Sequence, residues 1–112
     1  MSAPLRLVEG FEPLAAVDDV PEGALVGVKK GNGEDICLFN YHGQIGAVSN
    51  ICTHAEFLMS DGQMLGCAIE CAWHGAQFDC RSGEVRRGPA IDPLPVYEVR
   101  VVDGTIYVGG RK

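Results

Sequence analysis

The chain has 112 residues, enough for one domain with a modest core, and 46% of them are apolar, an ordinary globular share. Its formal charge of −6 argues against nucleic acid, because phosphate binding needs a basic surface. No stretch approaches the ~18 apolar residues of a membrane helix, and Met1 to Pro13 has no apolar leader core, so the expectation is a cytoplasmic protein. The acidic surface either steers the protein toward a basic partner or simply keeps it soluble.

Fifteen Gly and six Pro imply many turns, and the apolar runs are short and broken every eight to twelve residues, the pattern of an all-β sandwich or barrel. In chain order, Asp18 to Gly23 reads as a turn that opens with one helical turn. Ala24 to Lys29 reads as a strand with Val26 and Val28 on one face. Gly31-Asn32-Gly33 reverses the chain, Glu34 to Asn40 returns, His42-Gly43 turns again, and Gln44 to Val48 is the next strand. Ser60-Asp61-Gly62 is a turn. Gln63 to Leu65 and Ala68 to Glu70 pair around Gly66, Ala76 to Asp79 is a strand, and Arg81 to Glu84 turns the chain. Gly88 to Pro95 is irregular and stiffened by prolines. The clearest hairpin is last. Pro95 to Val102 alternates, with Tyr97, Val99 and Val101 on one face, Asp103-Gly104 is a type I′ turn, and Thr105 to Val108 returns.

Between these strands lie two matched stretches, Cys52-Thr53-His54 and Cys71-Ala72-Trp73-His74. Each offers one thiolate and one imidazole, and sixteen residues separate them, enough for a short hairpin excursion and return. The ligand order is Cys, His, Cys, His. That order suits a [2Fe–2S] cluster in which two Cys hold one iron and two His the other, which is one-electron chemistry. Zinc accepts the same ligand set. The order, and the tail His74-Gly75-Ala76-Gln77-Phe78-Asp79, stand against zinc. Of the five Cys, the motif claims two. Cys37, Cys67 and Cys80 are expected to be buried thiols rather than a disulfide framework. His42 reads as a solvated turn residue, Glu56 as a docking charge or a solvated one, and Gly31-x-Gly33 as a turn, not a nucleotide loop.

The stretch from Cys71 to Asp79 with Gly83, together with Cys52-Thr53-His54 upstream and Pro89-Ala90 and Pro93-Leu94 downstream, resembles the signature of Rieske-type ferredoxins from about Leu14 to Val108. The resemblance implies a single Rieske domain over 1–112, with an antiparallel β-sandwich base and a small cluster-binding subdomain at about 45–90. It implies one [2Fe–2S] cluster, with Cys52 and Cys71 on the inner iron and His54 and His74 on the outer one. The family's high-potential members carry an extra Cys in each loop, joined as a disulfide, and a Ser and a Tyr hydroxyl against the cluster sulfurs. The matching positions here are Phe57, Trp73, Ala76 and Phe78, so the resemblance places this chain at the low end, roughly −150 to −50 mV. The family often has Pro where this chain has Ala72, which restores a backbone N–H.

Rieske clusters also occur in oxygenases, beside an iron held by two His and a carboxylate. This chain has three His, and the cluster takes two. The expectation is therefore an electron carrier and not an enzyme. By resemblance it is the monomeric ferredoxin component of a bacterial ring-hydroxylating dioxygenase system, between a flavin reductase and a terminal oxygenase. Alternatives are a similar ferredoxin serving iron-sulfur cluster assembly or nitrite reductase, and a redox-sensing interaction module.

Overall fold

The computed structural model describes residues 9–53, 57–72, 75–88 and 92–112. Ten strands build two antiparallel sheets. They are β1 Glu12–Ala16, β2 Leu25–Lys29, β3 Asp35–Tyr41, β4 Gln44–Ser49, β5 Gln63–Leu65, β6 Ala68–Glu70, β7 Gln77–Asp79, β8 Val85–Arg87, β9 Val96–Val102 and β10 Thr105–Arg111. Two 3₁₀ turns, Val17–Asp19 and Met59–Asp61, complete the regular structure of the described residues.

The larger sheet runs in the order β1-β10-β9-β4-β3-β2. It curls toward a barrel, and its edges meet where the Gly31 N–H donates to Glu12 Oε2 at 2.7 Å. Two of its hairpins follow directly from turn chemistry. His42-Gly43 has φ of 51° and 87°, and Asp103-Gly104 has 51° and 77°, the paired positive values of a type I′ turn. The smaller sheet, β5-β6-β7-β8, is built from three-residue strands.

β3 explains how the two parts join. Its alternate residues face opposite cores. Ile36 and Leu38 pack into the base with Ala47, Tyr97, Ile106 and Val108. Cys37 and Phe39 face the other way, against Ile69, Phe78 and Leu94 beneath the Cys-His loops. A strand covered on both faces reads as an unbroken apolar run, as Ile36-Cys37-Leu38-Phe39 does. Gly46 stands directly opposite Phe39, and a Cβ there would overlap the Phe39 ring, so the bare glycine makes room for it. Phe78 is fully buried, which by itself favours the folded state by about 1.5–3 kcal/mol.

Some elements are absent from the sequence reading. β1 contains Pro13 and lies on an edge of the sheet, where a missing N–H is tolerated, with a bulge between Pro13 and Ala15. Its partner β10 is far away in sequence. β8 is also an edge strand, and its pairing with β7 shifts register at Gln77/Phe78. β10 continues past Val108 to Arg111. Val101, expected on one face with Tyr97 and Val99, is 47% exposed, because the core beneath that face does not extend to that end of β9.

Candidate metal centre

The first loop leaves β4 and is tied at both ends by Asn50, a buried polar residue. Its main chain donates to the Asp35 carbonyl at 2.9 Å and accepts from the Met59 N–H at 2.7 Å. Its side-chain Oδ1 accepts from the Ser60 N–H at 2.7 Å, and its Nδ2 donates to Ser60 Oγ at 3.1 Å. Ile51 and Leu58 form an isolated antiparallel bridge, and the Cys52 N–H donates to the Phe57 carbonyl at 2.9 Å. Met59, wholly buried, anchors the return. Ile51, Phe57 and Leu58 are exposed, giving this loop an apolar rim.

The second loop is the tip of the β6–β7 hairpin. The Cys71 N–H donates to the Ala76 carbonyl at 2.7 Å. Each loop is thus closed by its own Cys N–H, bonded to the carbonyl five residues on, and each closed turn spans the His of its motif. Below the tip, Gln63, Glu70 and Gln77 form a cross-strand row. The Glu70 carboxylate accepts from Gln63 Nε2 at 2.9 Å and Gln77 Nε2 at 3.0 Å. Those two bonds, Gln63's first, hold its carboxyl below the usual glutamate range.

A third segment closes against the first two. Thr53 Oγ1 donates to the Asp92 carbonyl at 2.8 Å, and the Leu94 N–H to the Gly83 carbonyl at 2.8 Å. Gly83 has φ of 76°, and a Cβ there would overlap the Leu94 carbonyl oxygen, so glycine is required on two counts. Asp79 shapes the turn before it. Its Oδ1 accepts from the Arg81 and Ser82 N–H groups at 2.8 and 3.0 Å, and its Oδ2 pairs with Arg86. Burial alone would raise this carboxyl. The Ser82 and Arg81 amides and the Arg86 guanidinium outweigh burial and hold it low.

The two motif cysteines are brought together. Cys52 is 3% and Cys71 1% exposed, and both lie in one buried group with Ala76, Phe78 and Leu94. Neither belongs to a disulfide. His54 and His74 lie outside the described residues, as do Glu56, Trp73, Pro89 and Ala90. Two buried thiols, each on a separate closed turn that also spans an imidazole, fit the donor set of a two-Cys, two-His [2Fe–2S] centre. The positions that would carry hydroxyls in a high-potential site, Ala76 and Phe78, are both fully buried.

The other candidates fall into place. Cys37 is buried in β3, and burial pushes its thiol up to about 12, so it packs as a protonated apolar group. His42 is an exposed turn residue with Nδ1 3.4 Å from Glu22 Oε2. Cys67 and Cys80 depart from expectation: they are joined as a disulfide. Among the described residues no group of three or more His, Cys, Asp and Glu is placed to hold a metal ion. Sequence reasoning also missed the roles of Asn50 and Asp79: Asn50 bonds across the loop to Ser60 and leaves no local spacing signal, whereas Asp79 accepts from the Arg81 and Ser82 amides just after it, a local Asp-turn pattern that could have been read.

Residues 10–98 match the Rieske [2Fe-2S] domain family. The chain is 41% identical, over 85% of its own length and 90% of the relative's, to the ferredoxin component of naphthalene 1,2-dioxygenase/salicylate 5-hydroxylase systems from a Ralstonia species. Its fold superposes on a ferredoxin of Sphingomonas yanoikuyae B1 with a TM-score of 0.85 and 29% identity, covering 88% of this chain and 97% of that one. It also superposes on a chain from a complex of reduced oxygenase and oxidized ferredoxin in carbazole 1,9a-dioxygenase, with a TM-score of 0.83 and 30% identity, covering 88% of this chain and all of that one.

Proposed function

The chain belongs to the Rieske [2Fe-2S] domain family, and on that premise we propose that it is the ferredoxin component of a ring-hydroxylating dioxygenase system, a one-electron carrier and not a catalyst. The observation that carries this reading is the similarity to such components over 85% of the chain, combined with a pair of buried cysteines on two closed turns. When bound, the cluster takes up and gives back one electron at low potential.

The residues divide the work. Cys52 and Cys71 would hold one iron, and their two thiolates would balance the 2+ charge of the oxidised two-iron, two-sulfide core. His54 and His74 would hold the other without adding charge, so the oxidised site would be neutral and easier to reduce than an all-Cys one. Ala76, Phe78 and Leu94 exclude water and offer no hydroxyl to the sulfurs, which keeps the potential at roughly −150 to −50 mV. The loop-bearing unit spans about 45–90 and is held in position by Asn50 and Gly83.

The exposed rim of Ile51, Phe57 and Leu58 on the first Cys-His loop serves as the docking face. It is small, which suits a transient encounter. The donor is a flavin-dependent reductase and the acceptor a terminal oxygenase. The carrier itself is a cytoplasmic monomer. Its net charge of −6 steers it to basic partner surfaces.

Electron paramagnetic resonance of the reduced protein tests the ligand set, because a two-His, two-Cys cluster has a lower average g than an all-Cys one. Stopped-flow reduction by a candidate reductase, followed by oxidation by a candidate oxygenase, tests the role. Both steps should be fast and should slow as salt rises. A protein that is reduced but passes no electron to any oxygenase would instead serve a different acceptor or act as a sensor of its own cluster state.

A further inference from the structure

The last paired residues of β6 and β7 are Ala68 and Asp79. Carried one position further, the same register sets Cys67 opposite Cys80, and the Cys80 N–H donates to the Cys67 carbonyl at 2.8 Å. Their Cα atoms are 5.3 Å apart, within the range a disulfide requires, and the sulfurs are joined. The closed loop contains the whole hairpin, including its tip with Cys71 and His74. The bond therefore sits at the base of the hairpin, and the second ligand loop at its other end. The hairpin is short, with three paired positions. Access to the two sulfur-bearing residues is unequal: Cys80 is 1% exposed, whereas Cys67 is half-buried in the turn between β5 and β6.

We infer that Cys67 and Cys80 form a thiol-controlled staple on the cluster hairpin. Joined, the pair holds β6 and β7 in register and keeps the second ligand loop closed. Opened, it frees the base of the hairpin, and the cluster is lost sooner. The inference rests on the reading that Cys71 and His74 are ligands.

The chemistry is exchange with a low-molecular-weight thiol. A thiolate attacks the more accessible Cys67 sulfur, the S–S bond breaks, and Cys80 leaves as a thiolate that takes a proton from solvent. A second thiol then attacks the mixed disulfide. It releases the Cys67 thiol and carries away the oxidised small-molecule disulfide. Two electrons pass from the thiols to the pair, and none is exchanged with the cluster. Closure runs the same steps backward, with the small-molecule disulfide as oxidant.

The test uses cluster-loaded protein, kept anaerobic, in oxidised or in excess reduced glutathione. Alkylation after denaturation, read by mass, should label three cysteines in the first case and all five in the second. Cluster release to an iron chelator should be about ten- to a hundred-fold faster in the opened protein, the upper figure being the full loop-closure effect for a loop of this size. Cys67→Ser and Cys67→Ala should each match the opened wild type and ignore glutathione. Five labels in oxidised glutathione would overturn the staple, as would release rates that do not differ between the two states. The reduced-state resonance spectrum is recorded alongside. An all-Cys spectrum would refute the ligand reading, whereas the staple is judged on labels and release rates.

Discussion

Asn50→Ala probes the first ligand loop directly. The substitution leaves the main-chain bonds to Asp35 and Met59 in place and removes two side-chain bonds, from the Ser60 N–H at 2.7 Å and to Ser60 Oγ at 3.1 Å. A lost hydrogen bond costs about 1 kcal/mol, and a buried N–H left without an acceptor about 1–3 kcal/mol. The stranded Ser60 amide sits at the lower end of that range. A shallow depression lined by Gly27, Asn50, Leu58 and Ser60 opens to solvent, so water reaches the vacated position. The expected destabilisation is therefore about 2 kcal/mol, near 30-fold in an opening equilibrium. Ser60→Ala is the control. It removes only the weaker bond, and water replaces it at Asn50 Nδ2, so its effect should stay below about 0.5 kcal/mol. Loss of visible absorption on heating, and cluster release to a chelator, give the two readouts. Asn50→Ala should lower the midpoint by roughly 8 °C. Equal effects from the two variants, or an Asn50→Ala shift below about 2 °C, would refute the assignment of Asn50 as the tie that closes this loop.

Gly83→Ala should destabilise by about 3 kcal/mol in urea unfolding, because it adds left-handed backbone strain to an overlap with the Leu94 carbonyl; a loss under 1 kcal/mol would show that the 92–95 segment yields freely. Phe78→Tyr places a hydroxyl at a buried position beside the cysteines. A bond that strengthens by about 1–2 kcal/mol on reduction should raise the midpoint potential by roughly 40–90 mV, read by spectroelectrochemistry. The Asp79 carboxyl is depressed in the folded state. Its contribution is present above the unfolded aspartate pKa and is lost as pH falls through the lower folded value, so urea stability should decline through acid pH. Asp79→Asn should flatten that decline, and an unchanged acid limb would assign the dependence to other carboxylates.

The all-β architecture and most strand positions are legible in the sequence because hairpins are local. Asp103-Gly104 and His42-Gly43 supply the positive φ pair that a two-residue turn demands, and the flanking alternation places the strands. β1 escapes that logic. Its pairing with β10 joins residues from opposite ends of the chain, and nothing in Glu12–Ala16 names the partner. β8 escapes it too, as three residues after a turn, paired with a register shift. Val101 misleads because alternation reports which face a residue takes, not how far the core beneath that face extends.

The sequence by itself determined the chemistry of the site. Thiolate and imidazole are common metal donors, and it is their alternating order, with the tail from His74 to Asp79, that points to a [2Fe–2S] cluster and away from zinc without any knowledge of the fold. Tertiary structure alone decided what holds those donors in position. Asn50 reaches Ser60 across the first loop, Gly83 yields to Leu94, and Cys67 meets Cys80 only because the β6–β7 register sets them opposite each other. Each of these depends on which backbone lies next to which, a relation fixed by packing and strand register and not by a residue's neighbours in sequence.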